Sequence, residues 1–327
     1  MPGMNEAQIK AALAAAKGLD AAREARRNLD LRQANLSQRL PIRANRRAVG
    51  NLLTPLLTKA GLELDEFEKI RAHNQAELRR LLEQQKAEAI QQSSSVKRTL
   101  RSEVASLHKL LQQVTTLAPP DAPPTSQPFY VLLETPFLIW PTHGIFLDDS
   151  HVEPVNSWAK ISLSSGESAG YEELGFYFLW ENPSDRVAVI NVDAYIAVNG
   201  FCSAGANGGT FPDDRHSSLV LNVRLNPWQW WDQPPTQPMP QGDQSQQVLS
   251  LYAFAGGWFD VGDIEVQSIF RGYDLSYTSF IIPPNGVVVF ETTLSISYGN
   301  SEGFVQVDLA SGDFEVLCPA VLIAILT

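Results

Sequence analysis

All seven tryptophans, all eight tyrosines and 14 of the 15 phenylalanines of this chain lie beyond residue 118, with Phe67 alone before it. Aromatic side chains bury the largest areas available to a core. The leading part must therefore be built from narrow helical contacts, while the rest holds the material of a thick interior. Between them stands LAPPDAPPTSQP, residues 117–128, whose five prolines exclude helix and favour an extended, semi-rigid spacer. Charge divides at the same place, +8 over residues 1–118 and −19 over residues 119–327, within a net −11. The chain reads as a basic helical domain at 1–118, a linker at 119–128 and an acidic domain at 129–327.

In the leading domain, residues 5–40 and 65–117 lack interior proline and repeat apolar side chains at three- and four-residue steps, the helical spacing. In the second stretch Phe67, Leu78, Ala89, Leu100 and Leu111 recur every 11 residues, beside Asn74, Gln85, Val96, Leu107 and Ala118. That period keeps a helix nearly straight. Toward its end Leu100, Val104, Leu107, Leu111 and Val114 tighten into heptad spacing, the best coiled-coil and oligomerisation seam in the chain. The middle, EQQKAEAIQQSSSVKR, offers few core residues. A helix of about 50 residues reaches roughly 75 Å, so it calls for other helices, either in a homo-oligomer through that seam or in a hairpin with residues 5–40.

Arg23, Arg26, Arg27, Arg32, Arg39, Arg43, Arg46 and Arg47 place eight guanidinium groups in 25 residues, opposed by Glu24 and Asp30. No aromatic residue is interleaved for base stacking. Contact with the acidic domain of a neighbouring subunit is thus preferred to a nucleic-acid arm.

Beyond residue 129 the period changes to two. Val288, Phe290, Thr292, Leu294, Ile296 and Tyr298 alternate with Val287, Val289, Glu291, Thr293, Ser295 and Ser297, a long half-buried strand. Similar segments at 158–164, 174–180, 187–198, 218–225, 248–255, 264–270, 304–309 and 316–326 make nine or ten strands without an intervening helix. Turns are expected at ENPSD, NGFCSAGANGG, PPNG, YGNSEG and ASGD. The fold class is α+β, segregated, with a long-helix or coiled-coil domain followed by an antiparallel, jelly-roll-like β-sandwich.

The segment 226–247 presents Trp228, Trp230 and Trp231 ahead of four prolines, a loop suited to subunit contact or to a glycan or receptor ligand. Asp213, Asp214, His216 and Ser217 list the members of a triad, yet a local run is poor evidence for one and reads as a turn. His143, Asp148, Asp149, His151 and Glu153 match no zinc spacing, and Asp260, Asp263 and Glu265 around Gly262 lack the EF-hand pattern. Gly205, Gly208 and Gly209 lack the Lys and helix of a phosphate loop and read as a flexible loop. Cys202 and Cys318 are expected as buried, reduced thiols. No catalytic residue, metal ligand or cofactor is assigned.

The longest apolar run, residues 317–326, is broken by Pro319 and too short to span a bilayer. The Ala-rich start reads as amphipathic helix and not as a secretory signal, so cytoplasmic synthesis is expected, with a released assembly as a further destination. Together these features point to a non-enzymatic, self-assembling structural protein with β-sandwich heads. The alternatives are a carbohydrate- or receptor-binding head on an oligomeric stalk, and a capsid-like shell whose arginine segment contacts nucleic acid. In layout alone, a coiled coil followed by a β-sandwich head is similar to the trimeric fibre heads of viruses and phages, without a diagnostic motif.

Overall fold

The computed structural model describes residues 55, 58–61, 64–116 and 129–326, without 167, 210–214, 231–238, 241–243 and 258–259. The eight-arginine segment, the linker 119–128 and Trp231 lie outside the described residues, as do the side chains of Leu111, Val114 and Trp230.

Two antiparallel sheets face each other. The spine of sheet A is β6 (Ala188–Gly209). Along one edge it pairs with β10 (Asp260–Ile282), and along the other with β14 (Val321–Leu326), β13 (Glu315–Leu317) and β12 (Gly303–Leu309) in succession. Then β4 (Trp158–Ser165) pairs β12 and β13, β3 (Phe146–His151) pairs β4, and β1 (Phe129–Leu133) pairs β14. Sheet B runs β2 (Leu138–Pro141), β5 (Ala169–Glu181), β11 (Val287–Ser301), β7 (Arg215–Trp230), with β9 (Gln244–Ala255) and the short β8 (Met239–Pro240) both on β7. Alternate residues of each strand fill the space between the sheets, as the pleat requires. Phe176, Phe178, Leu221, Val223, Phe290 and Leu294 of sheet B meet Ile190, Val192, Ile196 and Val198 of sheet A in one core.

Two expected loops prove to be strand. NGFCSAGANGG continues β6, because both of its faces are covered and only small residues fit: a Cβ on Gly205 would lie 2.3 Å from the Phe304 ring. The start of the tryptophan segment, through Trp230, belongs to β7 and pairs with β11. By contrast ENPSD, PPNG and ASGD do turn the chain, Asn285 and Gly312 taking positive φ there.

The largest departure concerns the long helix. The helix α1 (Leu64–Thr116) opens with Asp65 and Glu66, whose charge suits the positive helix end. It lies on the outer face of sheet A, so the partner that the sequence seemed to lack is in its own chain. Leu78 adjoins Ala206, Ala89 and Ile90 pack with Phe201 and Phe314, and Leu100 and Val104 pack with Ala197 and Leu317. From Leu78 to Leu107 the helix rises about 44 Å, and the β6 strand from Ala206 to Ala194 spans about 40 Å. Helix and strand thus run alongside each other in opposite directions. Leu78, Ala89 and Leu100 of the 11-residue stripe lie on the docked face. A stripe that drifts so little can follow a strand instead of winding around other helices. Leu100 and Val104, read as an oligomer seam, are buried against the sandwich, while Leu107 is partly exposed beside them. The polar middle is in close contact too. Ser93 is fully buried, its Oγ donating to the Ile90 carbonyl at 2.6 Å, and a Cβ on Gly312 would lie 2.8 Å from Ile90 Cγ2.

The acidic surface of the sandwich takes cations from α1 of the same chain, while the arginine segment expected to meet a neighbour's acidic domain lies outside the described residues. Lys86 Nζ meets Asp308 at 2.6 Å, Lys97 Nζ meets Glu315 at 2.7 Å, and Arg101 grips Glu315 with Nε and Nη2 at 3.2 and 3.1 Å. His108 Nε2 sits 2.7 Å from Glu134 Oε1. Burial opposes charge on Asp308, but Lys86, the Ser311 hydroxyl and the amides of Ser311 and Ala310 together hold its pKa below the ordinary aspartate value.

Candidate functional site

The outer face of sheet B carries a grid of polar and aromatic side chains generated by strand register. Leu138, Tyr177, Glu291 and Asn226 stand in one row across β2, β5, β11 and β7. Trp140, Gly175, Thr293 and Arg224 form the next, and Leu179, Val289 and Trp228 the row on the other side. At the centre is the Glu291 carboxylate, 2% exposed on the middle strand. Tyr177 Oη donates to its Oε1 at 2.7 Å, while Trp228 Nε1 and Asn226 Nδ2 donate to its Oε2. Three donors offset the cost of holding a charge out of water. They also fix the Tyr177 and Trp228 rings on opposite flanks of one anchor.

Gly175 makes this possible. Its missing side chain leaves room for the Tyr177 ring, since a Cβ there would lie 2.6 Å from Tyr177 Oη. Phe137 meets Tyr177 edge-on at 6.5 Å, and Leu138, Trp140 and Leu179 pack around it, partly exposed. Beside them Arg224 Nη1 donates to Tyr171 Oη at 2.9 Å, and Tyr171 donates to Glu173 Oε1 at 2.5 Å. Burial, then the Glu173 charge, pushes the Tyr171 hydroxyl well above its usual range, so it is a donor at every physiological pH. Tyr177 and Glu291 are themselves buried, so what the arrangement offers at the surface is the half-buried Trp140 and Trp228 rings, the Asn226 amide and the Arg224 guanidinium on a rigid sheet.

The other nominated residues have separate employments. Trp228 belongs to the grid. His216 and Ser217 are successive on β7 and so point to opposite faces. His216 stacks on Tyr252, and Ser217 donates to the Gly205 carbonyl. The turn expected there is strand from Arg215 onward, with Asp213 and Asp214 outside the described residues. His151 tilts over Trp158 at 5.9 Å and approaches Glu153 at 3.3 Å, and Asp149 caps the Ser150 amide. Asp260 accepts from the Gly257 and Gly262 amides, while Asp263 and Glu265 of β10 accept the Phe254 and Tyr252 amides of β9. Two edge strands are blunted in this way. Among the described residues no three His, Cys, Asp or Glu side chains converge as a metal site, and no helix is long and apolar enough to cross a membrane. Trp140, Tyr177, Asn226, Arg224 and Glu291 were not nominated from sequence. The signal available was a glutamate in an otherwise apolar and hydroxyl-bearing strand, Val287 to Tyr298.

Fold and site define a helix-clasped antiparallel β-sandwich with a polar-aromatic outer sheet face. No family model matches the chain, and no curated protein matches it. Among solved structures it is similar to TmCBM61, described in complex with β-1,4-galactotriose, at 11% identity and TM-score 0.21 over 55% of this chain and 86% of that one. It is similar to TmCBM27, a mannan-recognising carbohydrate-binding module, at 14% identity and TM-score 0.19 over 58% and 96%. A third is the enzymatically active domain of bacteriophage CBA120 tailspike protein 4, at 11% identity and TM-score 0.21, of which this chain spans only 19% while 60% of its own length is covered. Such scores carry no functional argument, which rests on the grid itself.

Proposed function

We propose that this chain is a non-catalytic recognition protein that holds a saccharide on the outer face of sheet B. The supporting observation is the Glu291 anchor, which immobilises the half-buried Trp228 ring before any ligand arrives. Rigid aromatic faces stack on sugar C–H surfaces at little entropic cost, and preorganisation converts more of the contact into affinity. Trp140 extends the apolar surface, while Arg224, Glu173 and Asn226 are groups of the kind that hydrogen-bond hydroxyls. Isothermal titration against soluble galacto-, xylo-, manno- and cello-oligosaccharides tests this reading. Saturable binding to one class, lost in Trp140→Ala and Trp228→Ala, supports it; silence across the panel, or binding indifferent to both variants, overturns it.

Association between copies is a second reading, favoured by Ile70, Leu81 and Leu110, which α1 leaves 51%, 45% and 59% exposed. Mass photometry of the full chain and of Leu110→Glu distinguishes them. A defined oligomer that the variant dissociates supports a structural role.

A further inference from the structure

The outward side chains of β7 continue past the grid to the far end of sheet B. They pass from Trp228 through the polar Asn226, Arg224 and Asn222 to Ser218 and His216, with Val220 alone apolar between, and all are half-buried. At that end β9 sets Tyr252 opposite Ser218 and Phe254 opposite His216. Residues directly opposite on paired strands share a face, so both rings stand on the outer side, 57% and 47% exposed. His216 stacks on Tyr252 at 6.4 Å, and the Phe254 ring lies over Gly256, where a Cβ would collide with it. A stacking partner steadies one ring and a missing side chain makes room for the other. Two carboxylates border this second cluster, Glu265 and Asp263 of β10 accepting the Tyr252 and Phe254 amides. From Trp228 to Ser218 the strand rises about 33 Å.

We infer that His216, Tyr252 and Phe254 form a second platform for the ligand of the grid, which is then an extended, uncharged polysaccharide lying along β7. This rests on the saccharide reading and adds to it the ligand's length and charge. Length follows from the spacing: a disaccharide reaches one platform, and only a chain of several sugar rings touches both. Between the platforms the amides and guanidinium of β7 face the hydroxyl rim of the chain. Charge follows from the surroundings. Arg224 is offset by Glu173 at 3.7 Å, Glu291 is buried, and Asp263 and Glu265 repel a uronate. Two platforms on one rigid sheet act as linked sites, so affinity climbs once a chain spans both.

The experiment is affinity electrophoresis of the full chain through gels holding galactan, xylan, mannan, hydroxyethylcellulose or polygalacturonate, with calorimetry on the disaccharide of each neutral polymer. One neutral polymer is expected to retard the protein at least about tenfold more strongly than its disaccharide binds, and polygalacturonate to leave it unretarded. Tyr252→Ala should weaken that retardation about fivefold, the worth of one stacked ring, and leave disaccharide binding unchanged. Phe254→Ala serves the same purpose should the first variant misfold. Retardation unmoved by both variants, disaccharide binding as tight as the polymer, or retardation by polygalacturonate overturns the second platform; the saccharide reading survives these results where Trp228→Ala abolishes binding. Silence of all four neutral polymers and their disaccharides overturns both. A dimer that Tyr252→Ala dissociates in mass photometry gives the rings to a second copy and overturns the platform as well.

Discussion

Replacing Glu315 by glutamine removes the charge on which two cations of α1 converge. Its side chain is 4% exposed and receives Arg101 at two points and Lys97 at 2.7 Å. Stripping one partner from a fully buried ion pair costs about 3–5 kcal/mol, and from an exposed pair about 1 kcal/mol or less. The Arg101 and Lys97 side chains keep 35% and 19% exposure, so both rehydrate in part when the charge is gone, and the amide oxygen still accepts one hydrogen bond. A loss of about 2 kcal/mol follows, intermediate between those limits. It falls on the contact between helix and sheet, not on the sandwich core. Opening of α1 should therefore become roughly 30-fold more frequent. Hydrogen exchange read by mass spectrometry checks this, with peptides covering residues 82–108 accelerating by that factor while β5 and β11 keep their rates. Glu77→Gln, which breaks the exposed pair with Arg80, should change neither. Unchanged exchange in α1, or equal acceleration in β11, would refute the clasp.

Leu100→Ala leaves a hole against Ala197 and Leu317 and should cost about 3 kcal/mol, read as a lowered urea midpoint at an unchanged slope. Asp308, with its folded pKa depressed, contributes stability that is complete above the unfolded value of about 3.9 and disappears as pH falls through the lower folded value. Asp308→Asn should accordingly destabilise at pH 7, with the gap from wild type closing toward pH 3 in parallel denaturant titrations. Cys202 and Cys318 are fully buried, burial pushing the Cys318 thiol up to about 12 and the Cys202 thiol higher still. Neither should react with a thiol reagent in the native protein, and both should on unfolding; fast native labelling would show that the core opens far more readily than its packing implies.

Local pattern determined much of this molecule. The change from a helical to a two-residue period at residue 129 announced helix followed by sandwich, and the turns at ENPSD, PPNG and ASGD were written in proline, asparagine and glycine. Leu78, Ala89 and Leu100 of the 11-residue series marked the docked face of α1. What it docks on was not legible, because a straight apolar stripe is satisfied equally by a helix or by a long strand, and only the 22-residue β6, carried through an apparent glycine loop, supplied the second. For the same reason small residues misled twice: NGFCSAGANGG and the serines near Ser93 look like slack in a sequence, yet Ser93 and Asn199 are buried against each other between helix and sheet. The grid on sheet B lay further from view. Glu291, Tyr177, Asn226, Trp228 and Trp140 are drawn from four strands as much as 151 residues apart along the chain, and they become neighbours through pairing register, which is decided by the packing of the opposite faces of those strands. A sequence displays the alternation of each strand; which outward residues share a row belongs to the tertiary structure, since register minimises the energy of the buried side and carries the exposed side with it.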